Sequence, residues 1–330
     1  MKIGSGIKNN KILKFLTKVS LLLIFVQFFY SCNSYTEERE VYSLAGTTMG
    51  TTYSLKVIEP LASQKFIQLN TKIDSLLVDV NQKMSTYIPD SELSLFNKSQ
   101  STSWIKISKD LAHVINTSKN VSKESNGSFD ITVGPLVNLW GFGPEKNDDI
   151  IPDEGKMKQL LTEVGIDKIE LDLDNLQMRK MNPDIYVDLS AIAKGYGVDK
   201  VGIFLESLGL NEYMIEIGGE VRTRGKNKDN EKWKIGISTP NNNGLQKVLG
   251  ISNYSAATSG DYFNYFEVDG IRYSHTIDPR TGKPIQHKLA SVTVIHKNCE
   301  NADAYATSID VMGPKEGYEF ALKMKLPVFM

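Results

Sequence analysis

The chain has 330 residues, of which 41% are hydrophobic and 23% charged, with 25 Gly, 11 Pro and only 2 Cys. This composition excludes a disordered chain, a collagen-like chain and a small domain held by disulfide bonds. Five lysines but no acid lie in the first 18 residues, so the remainder of the chain carries a net charge of −6. We therefore expect no nucleic-acid partner, because the positive field that attracts phosphate backbones is missing.

Residues 1–31 have the pattern of a bacterial signal peptide, with lysines first and then a short apolar run from Val19 to Tyr30. The run is too short to span a bilayer comfortably. Cys32 follows directly, where a lipoprotein signal carries the cysteine that is diacylated before cleavage. A plain signal peptide, or an uncleaved anchor with an incidental cysteine, is the alternative interpretation. Either way we expect an extracytoplasmic protein, lipid-anchored to a bacterial membrane of the cell envelope if Cys32 is acylated.

Residues 32–40 follow the signal and are polar and unpatterned, which suits a tether between a lipid and a folded body. No Pro- or Gly-rich linker divides residues 41–330, which favours one compact domain. The sequence stops within an apolar run that begins at Leu326. We therefore expect a final strand that is cut short.

The first half of the body alternates between strand and helix patterns. Apolar residues recur with period 2 in the strands and at three- or four-residue spacing in the helices. The turn-prone segment Ser125–Gly127 should end the second helix. The predicted elements are a strand over 53–57, helices over 62–84 and 110–124, and a hairpin with strands over 169–173 and 177–181.

The second half begins with a helix for which Ser190 is the predicted N-cap, directly before Ala191. Hairpins outnumber plausible βαβ units, so we predict an α+β fold with a largely antiparallel sheet and flanking helices. The remaining predictions are a strand over 213–217, strands over 233–294 with turns at Asn243-Gly244 and Asp269-Gly270, and helices over 301–312 and 314–323.

Common catalytic motifs are missing from the sequence. It contains no G-x-x-x-x-G-K-[ST], G-x-S-x-G, H-E-x-x-H or C-x-x-C. P-loop NTPases, α/β-hydrolases, zincins and thioredoxin-like proteins therefore lose their usual support. The nearest approach to a dinucleotide fingerprint, Gly195-Tyr-Gly197, follows a helix start rather than a strand, so a Rossmann fold is weakly supported.

Six segments are too polar or too rich in glycine to serve packing alone. In order they are Thr47–Thr51, Ser128–Gly141, Asp188–Gly195, Ala257–Tyr262, Ser274–Gly282 and Asn301–Thr307. Together with the lipoprotein-like start, they resemble the ApbE family, the FAD:protein FMN transferases, from about Ala45 to Lys325. The resemblance implies Mg²⁺-dependent transfer of FMN from FAD to a threonine hydroxyl of an acceptor protein, with release of AMP. In such families the acceptor is typically a subunit of a membrane redox complex.

Two of these segments have a chemistry of their own. Asp188 and Lys194 bracket a predicted helix N-terminus, where free amides attract phosphate oxygens, although a capped helix with a solvated lysine has the same pattern. Asp303 and Thr307 stand four residues apart on a predicted helix, so their hard oxygen donors share a face and suit Mg²⁺, although such a pair is usually a solvated face. The resemblance makes Asp188 and Lys194 FAD contacts and adds the Ala191 carbonyl to the metal ligands.

Five further residues are predicted FAD contacts: the resemblance implies four of them, and Tyr87 is predicted because an aromatic ring can stack on isoalloxazine or adenine. Each also has a plainer interpretation: a core methionine, a packing tyrosine, or an aspartate that caps a turn. They are Met49, Tyr87, Ser128, Phe129 and Asp130.

His275 and Asp303 are the predicted catalytic residues. His275 is the only one of the four histidines in a polar run rich in Asp, Gly and Pro, and a neutral imidazole there would accept the proton of the acceptor hydroxyl. A structural histidine that bonds a loop carbonyl is the alternative. Two other functions remain open: an FAD pyrophosphatase that yields FMN and AMP, and a non-catalytic flavin-binding lipoprotein.

Overall fold

The computed structural model describes residues 39–58, 63–144, 151–240, 244–260 and 264–330. The predicted signal peptide, Cys32 and most of the tether lie outside these ranges, as does Asn243 of one predicted turn. Residues from Glu40 to Met330 form one compact unit.

The first half of this unit contains five helices and five strands within the described ranges. In α1 the buried residues Leu69, Ile73 and Leu77 recur at four-residue spacing, and Ser108 caps α3 by accepting from the Leu111 N–H at 3.2 Å. The elements are β1 (Tyr42–Thr48), β2 (Thr51–Val57), α1 (Ser63–Met84), α2 (Glu92–Lys98), β3 (Ile105–Lys106), α3 (Lys109–Glu124), α4 (Gly134–Leu139), α5 (Glu154–Leu161), β4 (Ile169–Asp172) and β5 (Gln177–Lys180).

The second half supplies two long helices and the other strands. The last helix is broken at Gly313, which has φ 77° and precedes Pro314. The elements are α6 (Ala193–Ser207), β6 (Tyr213–Ile217), β7 (Glu220–Arg224), β8 (Trp233–Ser238), β9 (Leu245–Ile251), β10 (Ser255–Gly260), β11 (Tyr265–Val268), β12 (Ile271–Ser274), β13 (Ile277–Asp278), β14 (Lys283–Pro284), β15 (Ser291–His296), α7 (Cys299–Met324) and β16 (Val328–Phe329).

A seven-stranded antiparallel sheet, in the order β1-β2-β6-β7-β10-β15-β16, organises the unit. Three helices lie side by side against it: α1 contacts β1 and α6, α6 contacts β6 and β7, and α7 contacts α6, β10 and β15. The apolar side chains between these layers form the core, which fixes the starts of α6 and α7 next to each other.

The α+β fold class with an antiparallel sheet is confirmed. The predicted helices also form, within a residue or two of their expected bounds, and so does the hairpin at Asp174-Asn175. Among the described residues, no helix combines the length and apolarity that crossing a membrane requires.

The predicted cap of α6 is wrong. The helix begins at Ala193, and its cap position, Ile192, makes no side-chain capping bond. Ser190 lies earlier, in a turn, where its N–H and its hydroxyl both donate to Asp188 Oδ1. The two bonds to Asp188 hold Ser190 in this turn, two residues before the cap position.

Candidate active site

Two neighbouring cavities lie at the start of α6. The first, of about 320 Å³, is enclosed by the start of α6, the middle of α7, the end of β10 and the β12–β13 junction. The second, of about 730 Å³, extends toward the end of α1. Tyr87, Ser190 and Lys194 line both cavities, so these residues mark the passage between them.

The first cavity brings together residues that are far apart in the sequence. Met49 lines the second cavity instead, and Cys32 lies outside the described residues. The predicted site residues that line the first cavity are Tyr87, Ser128, Phe129, Asp130, Asp188, Ala191, Lys194, His275, Asp303 and Thr307.

Close contact between α6 and α7 fixes Asp303. A Cβ atom at Gly195 would lie 2.5 Å from the Cys299 carbonyl oxygen, so only glycine allows the two helices to approach this far. The Gly195 N–H donates to Asp303 Oδ2 at 3.0 Å. Asp303 is 4% exposed, and its burial raises the pKa of the carboxyl group.

The donors expected for a metal ion belong to residues that line the first cavity. In a regular helix the Gly195 N–H would donate to the Ala191 carbonyl four residues earlier, as the Tyr196 N–H does to the Ile192 carbonyl. Here the Gly195 N–H donates to Asp303 instead. The Ala191 carbonyl is therefore left without a backbone partner among the described residues. Thr307 lines the same cavity as Asp303. Its hydroxyl makes no hydrogen bond to any residue that the structure describes. A carboxylate, a hydroxyl and a carbonyl are hard oxygen donors, so these residues fit Mg²⁺.

This donor set contains a single carboxylate. Within the described ranges, no group of three or more His, Cys, Asp and Glu side chains is arranged to hold a metal ion. An ion held by Asp303, Thr307 and the Ala191 carbonyl would therefore need further ligands from a substrate, and phosphate oxygens are the usual ones for Mg²⁺.

Lys194 supplies the positive charge at the passage. Its Nζ donates to Glu220 Oε1 at 3.0 Å. Burial lowers the pKa of Lys194, but the negative charges of Asp303 and Glu220 outweigh this effect and raise it, so the side chain is a cation. Burial raises the pKa of Glu220, and the neighbouring ammonium only partly offsets the increase.

Asp130 has a structural role in the cavity wall. Its Oδ1 accepts from the Thr132 N–H and hydroxyl, at 2.8 and 2.6 Å, and its Oδ2 accepts from the Ile166 N–H at 2.8 Å. These are the bonds of a capping aspartate, as the plainer interpretation expects. Ser128 is also engaged, because its hydroxyl donates to the Ser308 carbonyl at 3.3 Å. Their FAD contacts, and that of the buried Phe129, stay predictions.

Asp188 and Tyr87 lie nearer the passage. The Asp188 N–H donates to the Ile131 carbonyl at 2.7 Å, which ties the turn before α6 to the cavity wall. Tyr87 is 63% exposed although it lines both cavities, so its ring has open space on which a flat ligand can stack.

His275 lies at the junction of β12 and β13. Its Nδ1 is 3.0 Å from the Asn264 carbonyl oxygen, and because a carbonyl can only accept, this contact assigns the proton to Nδ1. The edge of the ring packs against Phe142, with centroids 6.3 Å apart. The loop-carbonyl bond of the structural alternative is therefore present, and the base hypothesis requires Nε2 as the acceptor.

Glu220 was not among the predicted site residues. The available signal was an acid directly after Gly218-Gly219 at a strand start, but its lysine partner lies 26 residues earlier. A pairing over that distance depends on the packing of α6 against β7, which local periodicity does not describe.

The profile of the ApbE family matches residues 49–330. The FAD:protein FMN transferase of Vibrio cholerae is 44% identical over 293 residues, which cover 88% of this chain and 87% of the relative. The Haemophilus influenzae protein of the same name is 45% identical over 304 residues, covering 89% and 87%. The solved structure of the flavin transferase ApbE from Vibrio cholerae superposes with a TM-score of 0.81 at 43% identity, covering 88% of this chain and 93% of that one.

Proposed function

This chain belongs to the ApbE family and is a transferase, and we propose that it transfers FMN from FAD to a threonine hydroxyl of an acceptor protein. The proposed reaction requires Mg²⁺ and releases AMP. The observation that carries the proposal is that Asp303, Thr307, Ala191 and Lys194 all line one cavity at the start of α6, next to a second cavity that Lys194 also lines.

In the proposed reaction, the threonine oxygen forms a bond to the FMN phosphorus. The bond from that phosphorus to the bridging oxygen breaks, and AMP leaves with the electron pair. The protein's task is to position the hydroxyl in line and to oppose the charge of the pyrophosphate. The Lys194 ammonium opposes that charge from the passage between the cavities.

Asp303, Thr307 and the Ala191 carbonyl would hold the magnesium ion. When bound there, Mg²⁺ supplies further neutralisation of the pyrophosphate and of the leaving phosphate. The bond from Gly195 N–H keeps Asp303 in place, so its second oxygen, Oδ1, is the one that would bind the ion.

His275 is the proposed base. Its Nδ1 is held by the Asn264 carbonyl, so Nε2 would take the proton from the threonine hydroxyl as the new bond to phosphorus forms. Replacement of His275 should therefore slow the chemical step without weakening the binding of FAD.

We also propose that the protein is lipid-anchored through Cys32, with its body outside the cytoplasm. A subunit of a membrane redox complex is the proposed acceptor, since a lipid anchor would keep enzyme and acceptor at the same membrane. This proposal rests on the sequence of the first 40 residues and on the family resemblance.

The test is to incubate the purified protein with FAD, Mg²⁺ and an acceptor that contains a threonine, and to search for an FMN adduct by mass spectrometry. Asp303→Asn should abolish transfer, because the remaining donors hold the ion weakly. His275→Asn should slow single-turnover transfer by roughly 10²- to 10⁴-fold while FAD and Mg²⁺ affinities stay nearly unchanged.

His296→Asn is the matched control, because its Nδ1 accepts from the Asn298 N–H just after β15 and the residue does not line either cavity. It should transfer at the unsubstituted rate. Free FMN and AMP without an adduct would contradict transfer and support a pyrophosphatase. A full transfer rate in His275→Asn would remove the base from the mechanism.

A further inference from the structure

Glu220 is a buried carboxylate at the edge of the site. It is the first residue of β7, is only 2% exposed, and follows the turn of Gly218 and Gly219, both of which have positive φ. Its Oε1 accepts from Lys194, but its Oε2 is buried and has no hydrogen-bond partner among the described residues. Burial of an unpartnered carboxylate oxygen costs free energy. Stabilisation of the fold therefore does not account for this residue.

Lys194 lies near two carboxylates and pairs with one of them. Lys194 and Asp303 line the same cavity, and the N–H of Gly195, the residue after Lys194, bonds Asp303, while Glu220 accepts from the Lys194 ammonium itself. The ion pair nevertheless forms with Glu220, and none joins Lys194 to Asp303 in the described part of the chain. The lysine stem lies on the turn before β7, where a Cβ at Gly218 would be 3.3 Å from Lys194 Cδ. Glu220 thus holds the Lys194 ammonium against the Gly218-Gly219 turn rather than against Asp303.

We propose that Glu220 is a positioning residue that keeps the Lys194 ammonium off Asp303, and so leaves Asp303 available to a divalent cation. Without the charge of Glu220, the ammonium would turn toward Asp303, which the N–H of the next residue, Gly195, holds at the start of α6. Lysine and Mg²⁺ would then compete for the same carboxylate. The inference rests on the proposed function for the identity of the cation.

The test is a cycle of four full-length proteins: the unsubstituted chain, Glu220→Gln, Lys194→Met and the double variant. Each is saturated with FAD, and Mg²⁺ is titrated in by calorimetry, so that the measurement does not depend on transfer. Glu220→Gln keeps the side-chain length and an acceptor but removes the charge. We expect it to weaken Mg²⁺ binding about tenfold when Lys194 is present, and by less than about threefold in the Lys194→Met chain, where no ammonium competes.

Glu216→Gln is the matched control. Glu216 accepts from the Gly219 N–H at 2.6 Å, so it is an acid of the same turn, but it does not pair with Lys194. Its replacement removes the same charge and should change Mg²⁺ affinity by less than about twofold. If Glu220→Gln fails to fold, Glu220→Asp serves in the same cycle, because it withdraws the carboxylate from Lys194 by one methylene.

Two results would overturn the inference and leave the proposed function intact. One is unchanged Mg²⁺ affinity in Glu220→Gln. The other is an equal loss with and without Lys194, since Glu220 would then act on the cation by its charge alone. Failure of the unsubstituted, FAD-loaded chain to bind Mg²⁺ would instead remove the metal site from the proposed function, and this inference with it.

Discussion

The Glu300 carboxylate lies one helical turn before Asp303, at the start of α7, and is buried. Both of its oxygens lie within hydrogen-bond distance of His113 Nε2, at 2.9 and 3.0 Å. His113 belongs to α3 and is half exposed, so protons reach it readily. The bond to Glu300 raises the pKa of His113. This pair therefore ties α3 to the start of α7 in a way that depends on pH.

The sign of this dependence follows from the direction of the pKa shift. A histidine whose pKa is raised on folding contributes all of its stabilisation below the unfolded pKa of about 6.5, and loses it as the pH rises through the folded pKa. His113→Gln should therefore lower the free energy of unfolding at pH 5.5, by roughly 0.5 kcal/mol because solvent screens the exposed ring. At pH 9 the variant and the unsubstituted chain should be nearly equal. Urea unfolding at both pH values measures the difference.

His296→Gln is the control for this comparison, because His296 accepts from the Asn298 backbone N–H and pairs with no carboxylate in the described part of the chain. His296→Gln should change the free energy of unfolding by the same amount at pH 5.5 and at pH 9, whereas the effect of His113→Gln should be larger at pH 5.5. If the free energy of unfolding of His113→Gln differs from that of the unsubstituted chain by the same amount at both pH values, the His113–Glu300 pair does not make stability depend on pH.

At the scale of elements, the contact between α6 and α7 decides the geometry of the site. Gly195 lies at this contact, with the Cys299 carbonyl directly opposite, and its N–H holds Asp303. An added methyl group would meet a backbone atom that cannot rotate away. The two helices would then have to separate, which lengthens the Gly195–Asp303 bond.

Gly195→Ala should therefore destabilise the protein by about 2 kcal/mol, since overpacking against the backbone outweighs the better helix propensity of alanine. It should also weaken Mg²⁺ binding, because Asp303 loses its anchor. Gly197→Ala is the matched control in the same helix: its Cβ would meet the flexible end of Met49, with the methyl carbon at 2.9 Å. Thermal unfolding compares the two, and equal stability would contradict the close-contact argument.

At the scale of the whole molecule, the sequence predicts elements better than the contacts between them. The spacing of Leu69, Ile73 and Leu77 is sufficient to predict α1, because a single helix face is buried. No such signal predicts that β7, which forms a local hairpin with β6, also pairs with β10, since that second pairing joins residues more than thirty positions apart. The error at Ser190 has the same origin at shorter range, because a cap pattern does not reveal that bonds to Asp188 place Ser190 in a turn before the helix.

The candidate site shows this limit most directly. Asp303 and Thr307 were predictable as a pair because one helix carries both, and Lys194 because it lies near the start of another. The Ala191 carbonyl followed only from the family resemblance. Glu220 could not be placed beside Lys194 without the packing of α6 on the sheet.

The last prediction concerns where the whole molecule works. If Cys32 is acylated, residues 33–40 connect the lipid anchor to the folded body. Eight residues span at most about 28 Å, so the body would stay within that distance of the membrane. Cys32→Ser should therefore release the body into the soluble fraction, because serine has no thiol to which the lipid can be attached. Cell fractionation with immunoblotting measures the distribution, and transfer to a soluble threonine acceptor should stay unchanged because the cavities are untouched.

Ser31→Ala, one residue away, is the matched control and should stay membrane-bound. Retention of the Cys32→Ser chain at the membrane would show that the apolar run of the first 31 residues is an uncleaved anchor.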